Sequence, residues 1–488
     1  MDEQFRLVVI GSGPAGEKAA AQAAYFGHRT AIVERAERPG GTTALNGGVP
    51  TKTLRETALY VSGFQRRDIY GVGLNLDLSA EMATLRTRTG QVVDTMSEAV
   101  ARNIERHAIE LIHGSARLAP GRRVIVEGAD GTTRSLSGDT VLIATGSRPF
   151  HPEGIPFDDP DVLDSETVLD LDRPFDSIVV VGGGAIGVEY AGIFAALGIE
   201  VALVDNAPRL LPFMDGEISD LLADTFRRAG IDVRLQAGRA IVDRDHKGLR
   251  VQLPGVVLRP DRVLFAAGRA GNTEGLRLED VGVQTDARGR IVVDQHFETT
   301  AEGIYAAGDV IGPPALASVS MEQGRVAVCH ALGIPFKTAV DSMAPFGVYA
   351  IPEVAMVGMT EEAALAAGVD YAVGRGWFRT NTRATIAGMT DGLVKLVFRR
   401  DDKRLLGVHI LGASAGELVH LGQAVLHFGG TIDYFIDTTF NVPTETEAFK
   451  YAAYDGLQQL AAEPRSRPEI AASEPSITTL RLGGVREE

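Results

Sequence analysis

The chain has 488 residues, 45% of them hydrophobic and 23% charged, so its length suggests about three domains of ordinary size. Its formal net charge of −16 disfavours nucleic acid or anionic membrane as a partner. The single cysteine, Cys329, excludes an intrachain disulfide, a CxxC pair and a multi-cysteine metal site.

The first residues, MDEQFRLVVIG, are acidic and pass at once into a strand, which predicts no signal peptide. No window approaches ~18 uninterrupted apolar residues, so no membrane span is predicted, and the sparse cysteine fits a reducing cytoplasm. From Leu7 to Arg35, LVVIGSGPAGEKAAAQAAYFGHRTAIVER reads as apolar strand, glycine turn, Ala-rich helix, second strand and acidic residue. Helical patterns follow between 79 and 109, then an apolar strand ending in ATGSRP at 149. Ile178 to Asp205, IVVVGGGAIGVEYAGIFAALGIEVALVD, repeats the first grammar. Gly11, Gly13, Gly16 and Glu34 recur as Gly182, Gly184, Gly187 and Asp205, every one 171 positions on. After this copy come VLFAAGRAGN at 263–272, with Gly268, and GIYAAGDV at 303–310.

A lone GxGxxG is weak, but each copy here follows a strand, opens a helix and reaches an acidic residue 23 positions after its first glycine. The first glycine permits the turn, the second admits a pyrophosphate, and the third lets helix and strand pack. The order predicts an α/β fold with two Rossmann-like dinucleotide-binding domains, one inserted in the other. Residues 1–148 and 272–345 would form the first and 149–271 the second. From Pro345 the runs VKLVFRR and LLGVHIL, then AGELVHLGQAVLHFG and ETEAFKYAAYDGLQQL, predict an α+β interface domain over 346–462. The polar tail 463–488 carries three prolines and is expected to be mobile. Cys329, in the helix-like MEQGRVAVCHAL, reads as a buried structural thiol.

Two dinucleotide sites in one chain point to electron transfer between two nucleotides. Glu34 is expected on a ribose of the first, and Asp309 stands where a strand end could hold another hydroxyl-bearing part of a long cofactor such as FAD.

The pieces GSGPAG, GGTTALNGGVPTK, ATGSRP, GGGAIGVE, AAGRAGN, GIYAAGDV and NVPTETEA occur in that order. Through them the chain resembles the pyridine nucleotide-disulfide oxidoreductases from residue 5 to about 460. The resemblance implies FAD in the first domain, at Gly11, Gly13, Gly16, Glu34, Gly41 and Thr42. Lys52, Thr145, Gly146, Asp309, Leu316 and Ala317 complete that implied set. It implies NAD(P) as substrate in the second domain, at Gly182, Gly184, Gly187, Glu189, Asp205 and Gly268, and a homodimer through the third. Lys52 matches the family's lysine beside flavin N5, and Glu189 its ion-pair partner.

The departures fall on one half-reaction. The family's loop has the form GGTCLNVGCIPSK, and Thr43 and Gly48 stand where it has cysteines. Its HPTxxE motif is here Val442, Pro443, Thr444 and Glu447, so the glutamate remains without the histidine. Thiol–disulfide exchange is lost while hydride acceptance is kept. Within the family the resemblance is strongest to the Si-specific NAD(P) transhydrogenases, implying hydride transfer from NADPH to NAD in a ping-pong sequence through FAD. An NAD(P)H:quinone reductase or diaphorase of the same fold is the alternative, and a catalytically silent FAD-binding assembly or regulatory protein the second.

Use of NADPH raises a charge problem. At ~4–5 Å, Asp205 would repel the 2′-phosphate by roughly 4 kcal/mol per unit charge at an effective dielectric of about 20. Arg209, four residues on, is the candidate to neutralise it.

Overall fold

The computed structural model describes residues 2–62, 78–170 and 173–461. The tail expected over 463–488 lies outside the described residues.

The first sheet is built on Glu3–Ile10, whose buried LVVI end pairs in parallel with Thr30–Glu34 on one side and Thr133–Ile143 on the other. Glu110–His113 extends the sheet beyond Thr30–Glu34, and Ile304–Ala306 adds to Thr133–Ile143, both in parallel. The near-continuous apolar runs follow from burial on both faces, which parallel sheets require. An antiparallel meander, Ser115–Ala119, Arg123–Glu127 and Thr133–Ile143, continues from the same sheet.

The second sheet repeats the plan with Ser177–Val181 at its centre. Glu200–Val204 and Asp232–Arg234 lie to one side, and Arg262–Phe265 and Val162–Leu163 to the other, all parallel. A three-stranded antiparallel sheet, Ile241–Asp245, Gly248–Leu253 and Val256–Leu258, caps it. Where the chain enters and leaves this unit, Ser147–Pro149 and Arg269–Gly271 pair antiparallel.

The C-terminal unit is a five-stranded antiparallel sheet in the order Phe346–Val348, Val354–Gly358, Leu405–Leu411, Leu393–Arg399, Tyr371–Trp377. Helices Ala415–His427 and Glu447–Ala461 pack on it around Val408, Ile410, Phe398, Phe435 and Phe449. Its other side joins the second unit: Val348, Val354, Leu393 and Leu411 share one apolar core with Tyr190, Phe194, Leu222 and Phe226.

Charged groups seal that junction. Lys395, 1% exposed, pairs with Asp215 at 2.8 Å, Glu361 at 2.7 Å and Glu217 at 3.0 Å, while Arg375 grips Glu217 at 2.7 and 2.9 Å. Burial alone would raise the Asp215 carboxyl, but the charges of His409 and Lys395 outweigh it and hold the group below its ordinary value. The Lys395 ammonium is displaced upward despite its burial, by Asp215 and Glu361. Burial holds the His409 imidazole below its ordinary value.

Candidate functional site

The two fingerprints fold alike down to single hydrogen bonds. Gly11 and Gly182 take φ of 104° and 120°, and a Cβ at either would sit 2.4 Å from the Ala144 carbonyl oxygen or 2.5 Å from that of Ala266. Only glycine tolerates both the conformation and the approach. A Cβ at Gly16 or Gly187 would lie 2.0 or 1.7 Å from the carbonyl oxygen of Gly11 or Gly182, so the third glycines let helices Pro14–Tyr25 and Ala185–Ala196 close onto their strands. Glu34 accepts from Ser12 N–H at 2.9 Å and Ala36 N–H at 2.8 Å, and Asp205 accepts from the corresponding Gly183 N–H and, at 2.6 Å, Ala207 N–H. Ser12 adds a hydroxyl that donates to Glu34 at 2.6 Å and accepts from Gly40 N–H at 3.1 Å.

A cavity of about 980 Å³ opens above the first fingerprint. Gly11, Gly13, Glu34, Gly41, Thr42, Thr145, Gly146, Asp309, Leu316 and Ala317 all line it, while Gly16 packs behind. Backbone approaches backbone here: a Cβ on Gly41 would lie 2.7 Å from Gly13 Cα. Asp309 accepts from the Ser147 hydroxyl at 3.0 Å, and that hydroxyl accepts from Arg269 Nε at 2.7 Å.

Lys52 enters this cavity from helix Gly48–Ser62 and donates to both oxygens of Glu189, at 3.0 and 2.7 Å. Glu189 is buried on the second fingerprint's helix and also accepts from Tyr349 N–H at 2.9 Å. Three units therefore meet at one ion pair. The lysine side chain remains 34% exposed, toward the cavity, against 10% for the glutamate. Thr43 and Gly48 line the same space. The Tyr190 and Tyr349 phenols, also at the cavity, are pushed up by burial first, then by Glu189 and Asp164 for Tyr190 and by Glu353 and Glu417 for Tyr349, so both stay protonated at neutral pH. Cys329 is buried in helix Ala317–Ala331, its thiol raised by burial.

A second cavity, about 390 Å³, lies at the ends of the second sheet, lined by Gly182, Gly184, Asp205 and Asn206. Gly187 packs behind it as Gly16 does behind the first. Arg209 does not reach it. Its guanidinium is drawn to Asp220 at 3.1 Å and Glu362 at 3.6 Å, on the far side of the turn. Gly268, φ 105°, lines neither cavity; its carbonyl accepts from Phe150 N–H at 3.0 Å. Glu447 also lines neither: it opens helix Glu447–Ala461 and accepts from Thr444 N–H at 3.5 Å.

Three further residues that line the two cavities carried no assignment from the sequence. Tyr349 acts through its backbone N–H, which no residue pattern announces. Arg269 was visible inside AAGRAGN but not its grip on Ser147. Arg239, in the second cavity, follows a strand as Arg209 does, one strand later, and that placement was a signal.

Residues 5–324 match the sequence pattern described as pyridine nucleotide-disulphide oxidoreductase, and residues 344–453 that family's dimerisation domain. The chain is 41% identical over 461 residues to a soluble pyridine nucleotide transhydrogenase of Mycobacterium bovis, covering 94% of this chain and 98% of the relative. The soluble pyridine nucleotide transhydrogenase of Vibrio cholerae is 39% identical over 463 residues, with 93% and 98% covered. Among solved structures, the HOCl-induced flavoprotein disulfide reductase RclA of Escherichia coli superposes with a TM-score of 0.83 at 28% identity, covering 92% of this chain and 99% of that one. LpdA of Mycobacterium tuberculosis gives 0.83 at 29%, over 93% and 99%.

Proposed function

The chain belongs to the pyridine nucleotide-disulphide oxidoreductase family, whose nucleotides are FAD and NAD(P), and from that premise we propose that it transfers hydride from NADPH to NAD. One observation carries the reading: the Lys52–Glu189 pair stands in a cavity walled by both fingerprint domains, and that wall contains no cysteine.

The large cavity fits FAD. Its volume is at the upper end for small-molecule sites, its floor is the first fingerprint, and Gly13 and Gly41 leave room for backbone to approach a pyrophosphate at the start of a helix. Glu34 and Asp309 offer carboxylate oxygens to hydroxyl groups, and Lys52 lies farther along the same cavity. When bound, FAD supplies a centre that takes up a hydride and releases it.

The chain's own residues then prepare the surroundings. Lys52 presents a positive charge to the cavity and stabilises negative charge that develops beside it during transfer. Glu189, fixed by Tyr349 N–H and by burial, holds the ammonium in one place, so little reorganisation is needed at the moment of reaction. NADPH enters, gives up its hydride and leaves as NADP; NAD follows by the same mouth and departs as NADH. Both electrons travel with the hydride, and the overall transfer takes up and releases no net proton. That suits Val442 in place of the family's histidine, and Thr43 and Gly48 in place of its cysteines. The relatives bearing the transhydrogenase name support the same assignment. The dimerisation-domain match supports a homodimer, in which Tyr451 and Tyr454, half exposed on the last helix, would find cover.

Anaerobic mixing tests the reading. NADPH should bleach the flavin absorbance of the purified enzyme, and a thionicotinamide analogue of NAD should restore it with one analogue reduced per flavin. Recovery with a quinone but not with the analogue would replace this function by the quinone-reductase alternative.

A further inference from the structure

We propose that Arg239, and not Arg209, is the residue that recognises the 2′-phosphate distinguishing NADPH from NADH. The inference deepens the nicotinamide-nucleotide reading above and rests on it.

The second cavity is where the adenosine end of such a ligand belongs, because it contains Gly182, Gly184 and the acidic residue that ends the second strand. Asp205 reaches neutral ground there: its two carboxylate oxygens are taken by Gly183 N–H and Ala207 N–H. Those bonds orient it toward the protein, but its charge remains, and a phosphate nearby needs a cation.

Arg209 is committed elsewhere. It lies between Asp220 and Glu362, two exposed carboxylates whose attraction for it is modest, and it does not line the second cavity. Arg239 has no such commitment. Among the described residues no carboxylate pairs with it, and its one hydrogen bond, to the Glu153 carbonyl, is long at 3.4 Å. It is exposed and lines the same cavity as Asp205 and Asn206.

The backbone holds it near the ribose subsite. Gln236 N–H donates to the Ala207 carbonyl at 3.1 Å and Ala237 N–H to the Asp205 carbonyl at 3.0 Å, so the segment after Asp232–Arg234 is stitched alongside the 205–207 turn. Gly238, at φ 74°, then turns the chain, and Arg239 follows at the cavity wall. A guanidinium presents a planar fork that suits a phosphate, which a lone surface lysine would meet only as a point charge.

The test uses the FAD-loaded enzyme and measures binding rather than turnover. Calorimetric titrations with 2′,5′-ADP and 5′-AMP isolate the adenosine end, and NADPH and NADH titrations follow. In Arg239→Ala, affinity for 2′,5′-ADP and NADPH should fall about 10- to 100-fold, the range of a charge-assisted hydrogen bond, while 5′-AMP and NADH change by less than about threefold. Arg239→Lys should recover part of the loss, and Arg209→Ala should leave the 2′,5′-ADP to 5′-AMP ratio unchanged. An unchanged ratio in Arg239→Ala, or a selective loss in Arg209→Ala instead, overturns the inference. Should the enzyme fail to pass hydride from NADPH to NAD while Arg239→Ala still removes the ratio, the hydride reading falls and this one stands. Calorimetry with an unaltered melting temperature separates lost recognition from lost folding.

Discussion

The two fingerprint domains share strand, turn, helix and even the backbone bonds to their acidic residues, yet their cavities differ. Around the first, Gly41, Thr42, Thr145, Asp309 and Leu316 close in from separate segments of the chain to enclose about 980 Å³. Around the second, the strand ends and a few loop residues bound about 390 Å³. The fingerprint supplies a place for a pyrophosphate in both; what packs over it decides how long a nucleotide stays. On the proposed reading the covered site keeps FAD and the open one exchanges nicotinamide nucleotides.

The sharpest way to break that comparison is to damage each fingerprint at the same point. Gly16→Val should abolish FAD retention, since even a Cβ there would lie 2.0 Å from the Gly11 carbonyl oxygen. Gly187→Val meets a tighter contact, 1.7 Å, but should leave the flavin spectrum in place while NADH and NADPH no longer bleach it. Flavin content and anaerobic bleaching read both outcomes, and loss of flavin from both variants would mean that the two domains are not independent binding units.

The second domain leans on the C-terminal sheet, so its stability should respond to a change the first domain does not feel. Lys395→Met removes the cation from beneath Asp215, Glu217 and Glu361 and should cost about 3–5 kcal/mol, the penalty for stranding buried charge. Thermal unfolding of the FAD-loaded protein measures it. The pH dependence carries the same signature. His409 and Asp215 are both held below their ordinary values, so the stability they contribute is present above the unfolded-state values near 6.5 and 3.8 and is lost as pH falls through the native ones. Lys395 is held above its ordinary 10.5, so its share is present below that pH and is lost as pH rises through the native value. A melting temperature flat across pH 3 to 7 would show that His409 and Asp215 are not linked to folding.

Where the two domains meet, Lys52→Gln should leave both nucleotides bound but slow anaerobic flavin bleaching by about 100-fold, comparable to removing one preorganised donor. Glu189→Gln keeps the side chain's shape and one acceptor oxygen, enough for Tyr349 N–H, but turns the other oxygen into a donor and frees the lysine to wander, and a smaller loss is expected. Rapid mixing at saturating NADPH distinguishes slowed transfer from weakened binding.

The repeat was legible because a nucleotide fold spells itself out locally: strand, glycine turn and helix lie within 23 positions, and the offset of 171 between copies carried through to hydrogen bonds. The Lys52–Glu189 pair was legible only through family resemblance, for its partners come from different domains. Arg209 was legible as a nearby cation but its partners were not, because a surface arginine goes to whichever carboxylates the fold brings near, and Glu362 arrives from the C-terminal unit. Nothing in the local sequence weighs that attraction against a ligand's phosphate. The junction around Lys395 was invisible for a related reason: VKLVFRR reads as a strand, and nothing in it singles out the lysine until Asp215 and Glu361 are placed against it.

The smallest test addresses the fingerprint position where the first copy carries a hydroxyl and the second has none. Ser12 is fully buried, its hydroxyl joining Glu34 to Gly40 N–H, and Gly40 caps the short helix Gly41–Leu45, whose Gly41 and Thr42 line the first cavity. Gly183 in the second copy has no hydroxyl to make that link. Ser12→Gly therefore gives the first domain the second's grammar and removes two hydrogen bonds, one to a charged acceptor, for a net loss of about 1–2 kcal/mol. Because the segment it tethers lines the first cavity, up to the whole of that loss should appear as faster FAD release, at most about 5- to 30-fold weaker retention, with the backbone bond from residue 12 to Glu34 still intact. Dialysis against apo conditions, followed by flavin absorbance, measures it. If retention is unchanged while the melting temperature falls, the serine braces the fold alone, and the difference between a kept and an exchanged nucleotide must lie in the covering segments themselves.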